Sequence, residues 1–99
     1  MKITRIVKMV FREDFIEEFK ALFEAKKEAI RSQPGCLDLE LIQGVDNPCI
    51  FMTYSHWEDP KFLDQYKETE LFQSTWKSTK AGFDAKPEAW SLRTLHKLN

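Results

Sequence analysis

The segment from residue 34 to residue 57, PGCLDLELIQGVDNPCIFMTYSHW, decides the fold of this chain. Leucine alternates with acidic side chains over residues 37–41, which predicts a strand with one buried face. Residues 49–57 form a second and more continuously apolar run. The sequence GVDNP at 44–48, between the two runs, is rich in the residue types that favour turns. The segment therefore predicts a β-hairpin.

The two cysteines lie toward opposite ends of this hairpin. Antiparallel pairing about residues 45–47 would place Cys49 near Gln43 and Cys36 near His56. A rise of roughly 3.3 Å per residue then separates the thiols by about 20 Å, which is too far for a disulfide. The sequence also shows no apolar stretch of signal-peptide or bilayer-spanning length. We therefore predict reduced thiols, a cytoplasmic location and no association with membranes.

A strand and a helix are predicted before the hairpin. Residues 2–11 alternate polar and apolar side chains, which is typical of a strand. Apolar residues then recur at helical spacing over 15–30, and Asp14 is the expected N-cap of that helix. The Gln-Pro-Gly sequence at 33–35 predicts the end of the helix.

A second helical region follows the hairpin and begins at Asp59-Pro60, with Asp as N-cap and Pro at the first helical position. The aromatic spacing slips near its middle, where Thr69-Glu70 has the chemistry of a second N-cap, so we predict a bend or break there. Residues 89–98 are predicted as the last strand. The order β-α-β-β-α-β predicts one α+β domain over residues 1–99, with a ferredoxin-like fold. In that fold a four-stranded antiparallel sheet carries two helices on one face.

Both faces of the predicted sheet carry large apolar side chains. On the first strand, Ile3 and Val7 alternate with Ile6 and Val10. Two helices cover only one face of a sheet, and an antiparallel sheet that faced water would be polar on its other face. We therefore predict a homodimer in which two sheets pack against each other.

Composition and charge narrow the class of partner. The 15 basic and 16 acidic residues give a net charge of −1, without the basic face that nucleic acid requires, so we predict no nucleic-acid partner. The 3 glycines are scattered, so the sequence has no glycine-rich phosphate-binding loop. The histidines and cysteines lack the paired spacing of metal ligands. We therefore predict no metal and no cofactor. The 8 Phe, 3 Trp and 2 Tyr are many for a small core, which predicts a pocket for a small aromatic or hydrophobic molecule.

The run CIFMTYSHWEDPKFLDQYKETELFQSTW at residues 49–76 resembles the third strand and second helix of the antibiotic biosynthesis monooxygenase family. Trp57, Phe62-Leu63 and Phe72 match its pattern, and PGCLDLEL at 34–41 is similar to the family's entry into the second strand. The resemblance implies a dimeric ferredoxin-like α/β barrel with a pocket between sheet and helices. It also implies oxygenation of electron-rich phenols or quinols with O₂, without metal or flavin.

The chain departs from the family pattern at several positions. Ser55 stands where many quinol-type members have glutamate, and Tyr66 and Leu71 stand where they often carry histidines. Haem-degrading members have tryptophan at the position of Tyr66 and a histidine ligand at that of Trp76. These departures argue against haem ligation by a histidine, and the missing glutamate and histidines favour a non-catalytic binding module over a quinol-type enzyme.

His56 and Tyr66 are the predicted catalytic residues. An imidazole with a near-neutral pKa is a natural base for a phenolic proton, and the Tyr66 hydroxyl can orient a substrate oxygen. The alternative for His56 is an ordinary surface or interface histidine. The predicted substrate-binding residues are aromatic: Tyr54, Trp57, Phe72 and Trp76.

The sequence leaves two points of this site open. Neighbouring strand residues point to opposite faces, so only one of His56 and Trp57 enters a pocket unless the strand end twists. Tyr66, Phe72 and Trp76 share a helix face and predict one wall of a cavity, but a stripe at this spacing is also typical of a plain core.

Two functions fit this sequence. The first is a cofactor-independent monooxygenase that acts on a small hydroxylated aromatic or quinol substrate. The alternative is a non-catalytic dimeric module that binds a small hydrophobic ligand. An RNA-recognition module of the same topology is disfavoured, because the third strand lacks the basic-Gly-aromatic signature.

Overall fold

The computed structural model describes residues 1–99, which form four strands and three α-helices. A short 3₁₀ turn at Glu13–Phe15 precedes the first helix. The strands and helices, in chain order, are β1 (Ile3–Val10), α1 (Ile16–Arg31), β2 (Cys36–Gln43), β3 (Ile50–Trp57), α2 (Pro60–Lys67), α3 (Glu70–Lys80) and β4 (Glu88–Leu92).

The four strands form one antiparallel sheet in the order β2-β3-β1-β4. This order confirms the predicted α+β ferredoxin-like fold, in which the first and third strands lie at the centre. The helices pack on one face of the sheet. That face carries two core clusters, one around Met9 and Phe51 and the other around Ile3 and Trp57. The core therefore lies between this face and the helices.

The predicted break in the second helical region is confirmed. At the start of α2, the Asp59 side chain accepts a hydrogen bond from the backbone N–H of Lys61, and Pro60 occupies the first helical position. At the start of α3, the Thr69 hydroxyl oxygen accepts from the backbone N–H of Phe72 at 3.1 Å. Each cap satisfies a donor that a helix start would otherwise leave free, so two short helices replace one long one.

The predicted Asp14 cap of α1 is wrong. The helix begins at Ile16, one residue after the start that an Asp14 cap would give. Phe15 occupies the N-cap position, without a side-chain hydrogen bond. The Asp14 carboxylate instead forms an ion pair with the Arg12 guanidinium at 3.2 Å. The Phe15 ring is buried against the Phe11 ring, with centroids 5.7 Å apart, so packing rather than capping anchors this end of the helix.

The end of α1 follows the predicted Gln-Pro-Gly signal, since the helix stops at Arg31. Gly35 then adopts a φ of +79°, a left-handed conformation that side chains with a Cβ disfavour. A Cβ at this position would also collide with the Phe62 ring of α2. The tight turn into β2 therefore depends on glycine.

The hairpin is confirmed, but its register differs from the prediction by two residues. Gln43 pairs with Phe51, where the prediction placed Cys49. Pro48 has no N–H for the ladder, and the Cys49 N–H bonds the Asn47 side chain, so the turn extends to Cys49. From Asp38 to Gln43 the slip is two residues, so these side chains stay on their predicted face of the sheet. A bulge between Cys36 and Asp38 breaks the alternation, and Cys36 packs with Trp57.

The last strand is shorter than predicted. It ends at Leu92 rather than continuing to residue 98. Leu92 pairs with Thr4, next to the first residue of β1, so the chain beyond it runs past the end of its partner strand. Without a neighbour to receive its backbone hydrogen bonds, this terminal segment does not remain in the sheet.

Candidate functional site

A cavity of about 160 Å³ lies between the helices and the inner face of the sheet. An engineered cavity of about 150 Å³ accommodates benzene, so this space is large enough for a small aromatic ring. Thirteen of its 19 lining residues are hydrophobic. The predicted site residues Trp57, Tyr66, Phe72 and Trp76 all line it.

Four aromatic rings form a continuous wall of this cavity. The Trp57 indole and the Tyr66 phenol stack with centroids 5.4 Å apart, and the Phe72 ring meets Tyr66 edge-on at 5.2 Å. Phe72 stacks in turn on Trp76 at 6.1 Å. These four rings, the aromatic wall, offer a flat ligand both ring faces and ring edges.

Strand β3 decides which of the two neighbouring aromatic residues reaches the cavity. Trp57 is buried at the end of β3, on the inner face, where it packs with Leu63 of α2. Its indole N–H donates to the hydroxyl oxygen of Ser55 at 3.1 Å, two residues earlier on the same face. The Ser55 hydroxyl keeps its own proton, so it can donate a hydrogen bond into the cavity that it lines.

The Tyr66 hydroxyl is the most strongly perturbed titratable group of the site. Burial raises the pKa of Tyr66 to about 12, with a smaller contribution from the charge of Cys36. Like an ordinary tyrosine, the phenol is protonated at physiological pH and can act as a hydrogen-bond donor, and the raised pKa extends this protonated state to higher pH.

His56 and Tyr54 lie outside the cavity, on the outer face of the sheet. The ring of His56 contacts Tyr54 edge-on at 5.1 Å between centroids. Its Nδ1 lies 2.9 Å from both carboxylate oxygens of Asp38, which also accepts the His56 backbone N–H. The structure thus places these two predicted site residues together, but it does not bring them to the aromatic wall.

The polar residues of the cavity lining other than Tyr66 were not predicted as site residues from the sequence; they are Arg5, Thr53, Ser55, Lys67, Thr75 and Thr79. Arg5 lines the inner face of β1, and Lys67 and Thr75 line it from the helices. Alternation places Arg5 on the same face of β1 as Ile3 and Val7, but the sequence does not show which face the helices cover. Lys67 and Thr75 sit in polar stretches of helix and carry no such signal.

No group of three His, Cys, Asp or Glu side chains is arranged to hold a metal ion. The buried Cys36 thiol has a raised pKa, chiefly because burial disfavours the thiolate. None of the helices combines the length and the apolar character needed to cross a bilayer.

The fold and the cavity define a ferredoxin-like α+β domain with an aromatic pocket under its helices. Residues 2–78 match the family model for antibiotic biosynthesis monooxygenases, and the chain belongs to this family. No curated protein sequence matches the chain at a significant level.

Solved structures share the fold at low sequence identity. A conserved protein from Methanosarcina mazei Go1 is 24% identical, with a TM-score of 0.89 over 94% of this chain and 92% of that one. A structure described as an antibiotic biosynthesis monooxygenase is 20% identical, with a TM-score of 0.89 over 95% and 99% of the two chains. A mutant of SnoaB, a cofactor-independent oxygenase from Streptomyces nogalater, is 15% identical, with a TM-score of 0.87 over 98% and 96%.

Proposed function

We propose that this protein is a cofactor-independent monooxygenase that acts on a small hydroxylated aromatic or quinol in the cavity. The observation that carries the proposal is the aromatic wall of Trp57, Tyr66, Phe72 and Trp76, which faces a space of aromatic-ring size. Stacking supplies affinity for a flat ring, and the few polar groups supply orientation.

The reaction needs only the substrate and O₂. A phenol that takes up one O₂ gives a para-quinone and one water: the ring gains one oxygen atom, and its two lost hydrogens leave with the other. The substrate supplies the electrons and O₂ accepts them, so the balance requires no flavin or metal. An ionised ring is the electron donor in this scheme, and the site therefore has to favour the deprotonated substrate.

Tyr66 is the proposed catalytic residue inside the cavity. Its protonated hydroxyl can donate to the substrate oxygen as negative charge develops there. The general-base role of His56 stays a prediction. We do not include it in this proposal, because the imidazole lies on the outer face of the sheet beside Asp38 and not in the cavity.

We also propose that the protein works as a homodimer formed through the outer faces of two sheets. Ile42, Trp90 and Leu92 are large apolar side chains of this face, and each remains more than 40% exposed. A second copy would cover the same residues with an identical apolar surface, as a two-fold interface requires.

A second candidate function is supported by what the cavity lining lacks. None of the 19 lining residues is a histidine, aspartate or glutamate, so the cavity holds no conventional general base. A non-catalytic dimeric module that binds a small hydrophobic ligand would need none.

Oxygen uptake with a panel of phenols, hydroquinones and anthrones distinguishes the two functions. The monooxygenase predicts enzyme-dependent O₂ consumption and a product that carries one atom of ¹⁸O from ¹⁸O₂. Ligands that quench the fluorescence of the cavity tryptophans without any O₂ consumption would favour the binding module.

A further inference from the structure

The charged groups of the cavity lining are all of one sign. Arg5 and Lys67 are cationic, and no acidic residue is among the 19 lining residues. This contrasts with the whole chain, whose net charge is −1. The cavity is therefore an electropositive site within a slightly acidic protein, which favours an anionic ligand.

Arg5 occupies a central position on the floor of the cavity. It lies on β1 between Ser55 of β3 and Ser91 of β4, its partners across the sheet. Its Nη1 donates to the Ser91 hydroxyl oxygen at 3.1 Å. The Arg5 side chain makes this single hydrogen bond to the rest of the protein. A guanidinium has five N–H donors, so most of them remain free for a ligand.

No carboxylate lies within ion-pair distance of Arg5. The acidic residue that acts on it electrostatically is Asp64, an exposed residue of α2, and burial lowers the pKa of the guanidinium more than Asp64 raises it. A half-buried cation without a close counter-ion is electrostatically unfavourable in an apolar surrounding. An anionic group in the cavity would relieve this cost.

Thr75 is a further polar residue of the cavity lining. Its hydroxyl oxygen is buried and has no hydrogen-bond partner, although Thr75 lines the cavity from α3. Buried polar atoms almost always have a partner, so this hydroxyl is a polar group beside the cavity whose hydrogen bond is not made within the chain.

We propose that Arg5 is the anion-recognition residue of this cavity and that its ligand is a flat aromatic with an anionic oxygen, either a carboxylate or an ionised ring hydroxyl. The aromatic wall holds the ring, and the guanidinium fork binds the anionic oxygen. This inference rests on the proposed function in one respect, namely that the cavity is the ligand-binding site. It also explains how a site without a general base selects a substrate that is already ionised.

Equilibrium binding to matched ligand pairs tests the proposal without any need for turnover. 2-Naphthoate and 2-naphthamide share a ring and differ in charge, and a hydroxynaphthoquinone that is ionised at neutral pH can be paired with its methyl ether. We expect the anion of at least one pair to bind roughly tenfold or more tightly than its neutral partner. The pair that shows the preference identifies carboxylate or ionised hydroxyl as the recognised group.

Arg5→Gln should abolish that preference and leave the affinity for the neutral ligand within about threefold of its original value, since the aromatic wall is intact. Arg93→Gln makes the same chemical change at an exposed residue beyond β4 and should keep the preference. Circular dichroism checks that both variants are folded. Equal binding of anion and neutral partner in both pairs, or a preference that survives in Arg5→Gln, would overturn the proposal.

The binding result and the oxygen-uptake result are separable. An anion preference that depends on Arg5 supports the inference even where no substrate consumes O₂. Conversely, O₂ consumption with equal affinity for charged and neutral ligands would support the monooxygenase and contradict the role of Arg5.

Discussion

The Trp57 indole lies nearly parallel to the Tyr66 phenol, with ring centroids 5.4 Å apart and an angle of 24° between the planes. One ring ends the third strand and the other belongs to α2, so this contact joins the sheet to the helices at the cavity. Burial at the same contact raises the pKa of the Tyr66 hydroxyl. Packing and proposed chemistry therefore meet at one pair of residues.

Tyr66→Phe tests the hydroxyl without removing the ring. We expect kcat to fall roughly 10²-fold, as when one donor to a developing oxyanion is lost, and KM to change little because stacking remains. Steady-state O₂ uptake measures both constants. Tyr54→Phe removes a matched hydroxyl on the outer face, and an equal loss of kcat there would contradict the assignment to Tyr66.

The raised pKa of Tyr66 predicts a loss of stability at high pH. Between pH 10 and about 12 the unfolded chain ionises this phenol while the folded protein keeps it protonated, so the unfolded state binds fewer protons. The free energy of unfolding should therefore fall with pH in this window, by on the order of 2 kcal/mol from this group. Urea unfolding at several pH values measures the slope. The slope should be smaller in Tyr66→Phe and unchanged in Tyr54→Phe, which retains the cavity phenol.

His56→Ala separates a catalytic from a structural histidine. A general base would lose roughly 10²–10⁴-fold in turnover. Because the imidazole lies on the outer face and bonds Asp38, we expect turnover to be largely retained and stability to fall by about 1 kcal/mol. Kinetics and urea unfolding of the same preparation test both expectations. A loss of turnover in the range of a general base, with stability unchanged, would establish catalysis by His56.

Ile42→Lys tests the proposed dimer. Ile42 is an exposed apolar residue of β2, and a lysine there would place like charges across a two-fold interface. We expect sedimentation to give the monomer mass of 11.7 kDa for this variant and about twice that mass for the unchanged protein. Val45→Lys makes a similar change at the 97% exposed tip of the hairpin and should leave the dimer intact. A monomeric unchanged protein at micromolar concentration would contradict the proposal.

Local chemistry in the sequence was sufficient for most of the fold. Pro60 and Thr69 mark helix starts whose hydrogen bonds involve neighbouring residues, so their outcome does not depend on the rest of the molecule. Alternation likewise assigned the side chains of Asp38 to Gln43 to faces of the sheet, and a register slip of two residues left that assignment unchanged.

Other features depended on contacts between distant parts of the chain. The last strand ends at Leu92, which pairs with Thr4 one residue from the end of β1, and α1 begins at Ile16, directly after the Phe15 ring that packs on Phe11. Neither the length of a partner strand nor the packing of a ring is encoded in the few residues around the boundary.

Part of the candidate site was likewise predictable from the sequence, and part depended on the tertiary structure. The sequence by itself indicated that Tyr66, Phe72 and Trp76 could form one wall of a cavity, with His56 or Trp57 beside it. Because a helix break separates Tyr66 from Phe72, periodicity alone did not determine that these rings line the same cavity. Only the tertiary structure decided that the helices cover the face of Trp57 rather than that of His56. Both faces of the sheet carry large apolar side chains, so the pattern alone does not distinguish them, and the choice follows from which face the helices bury.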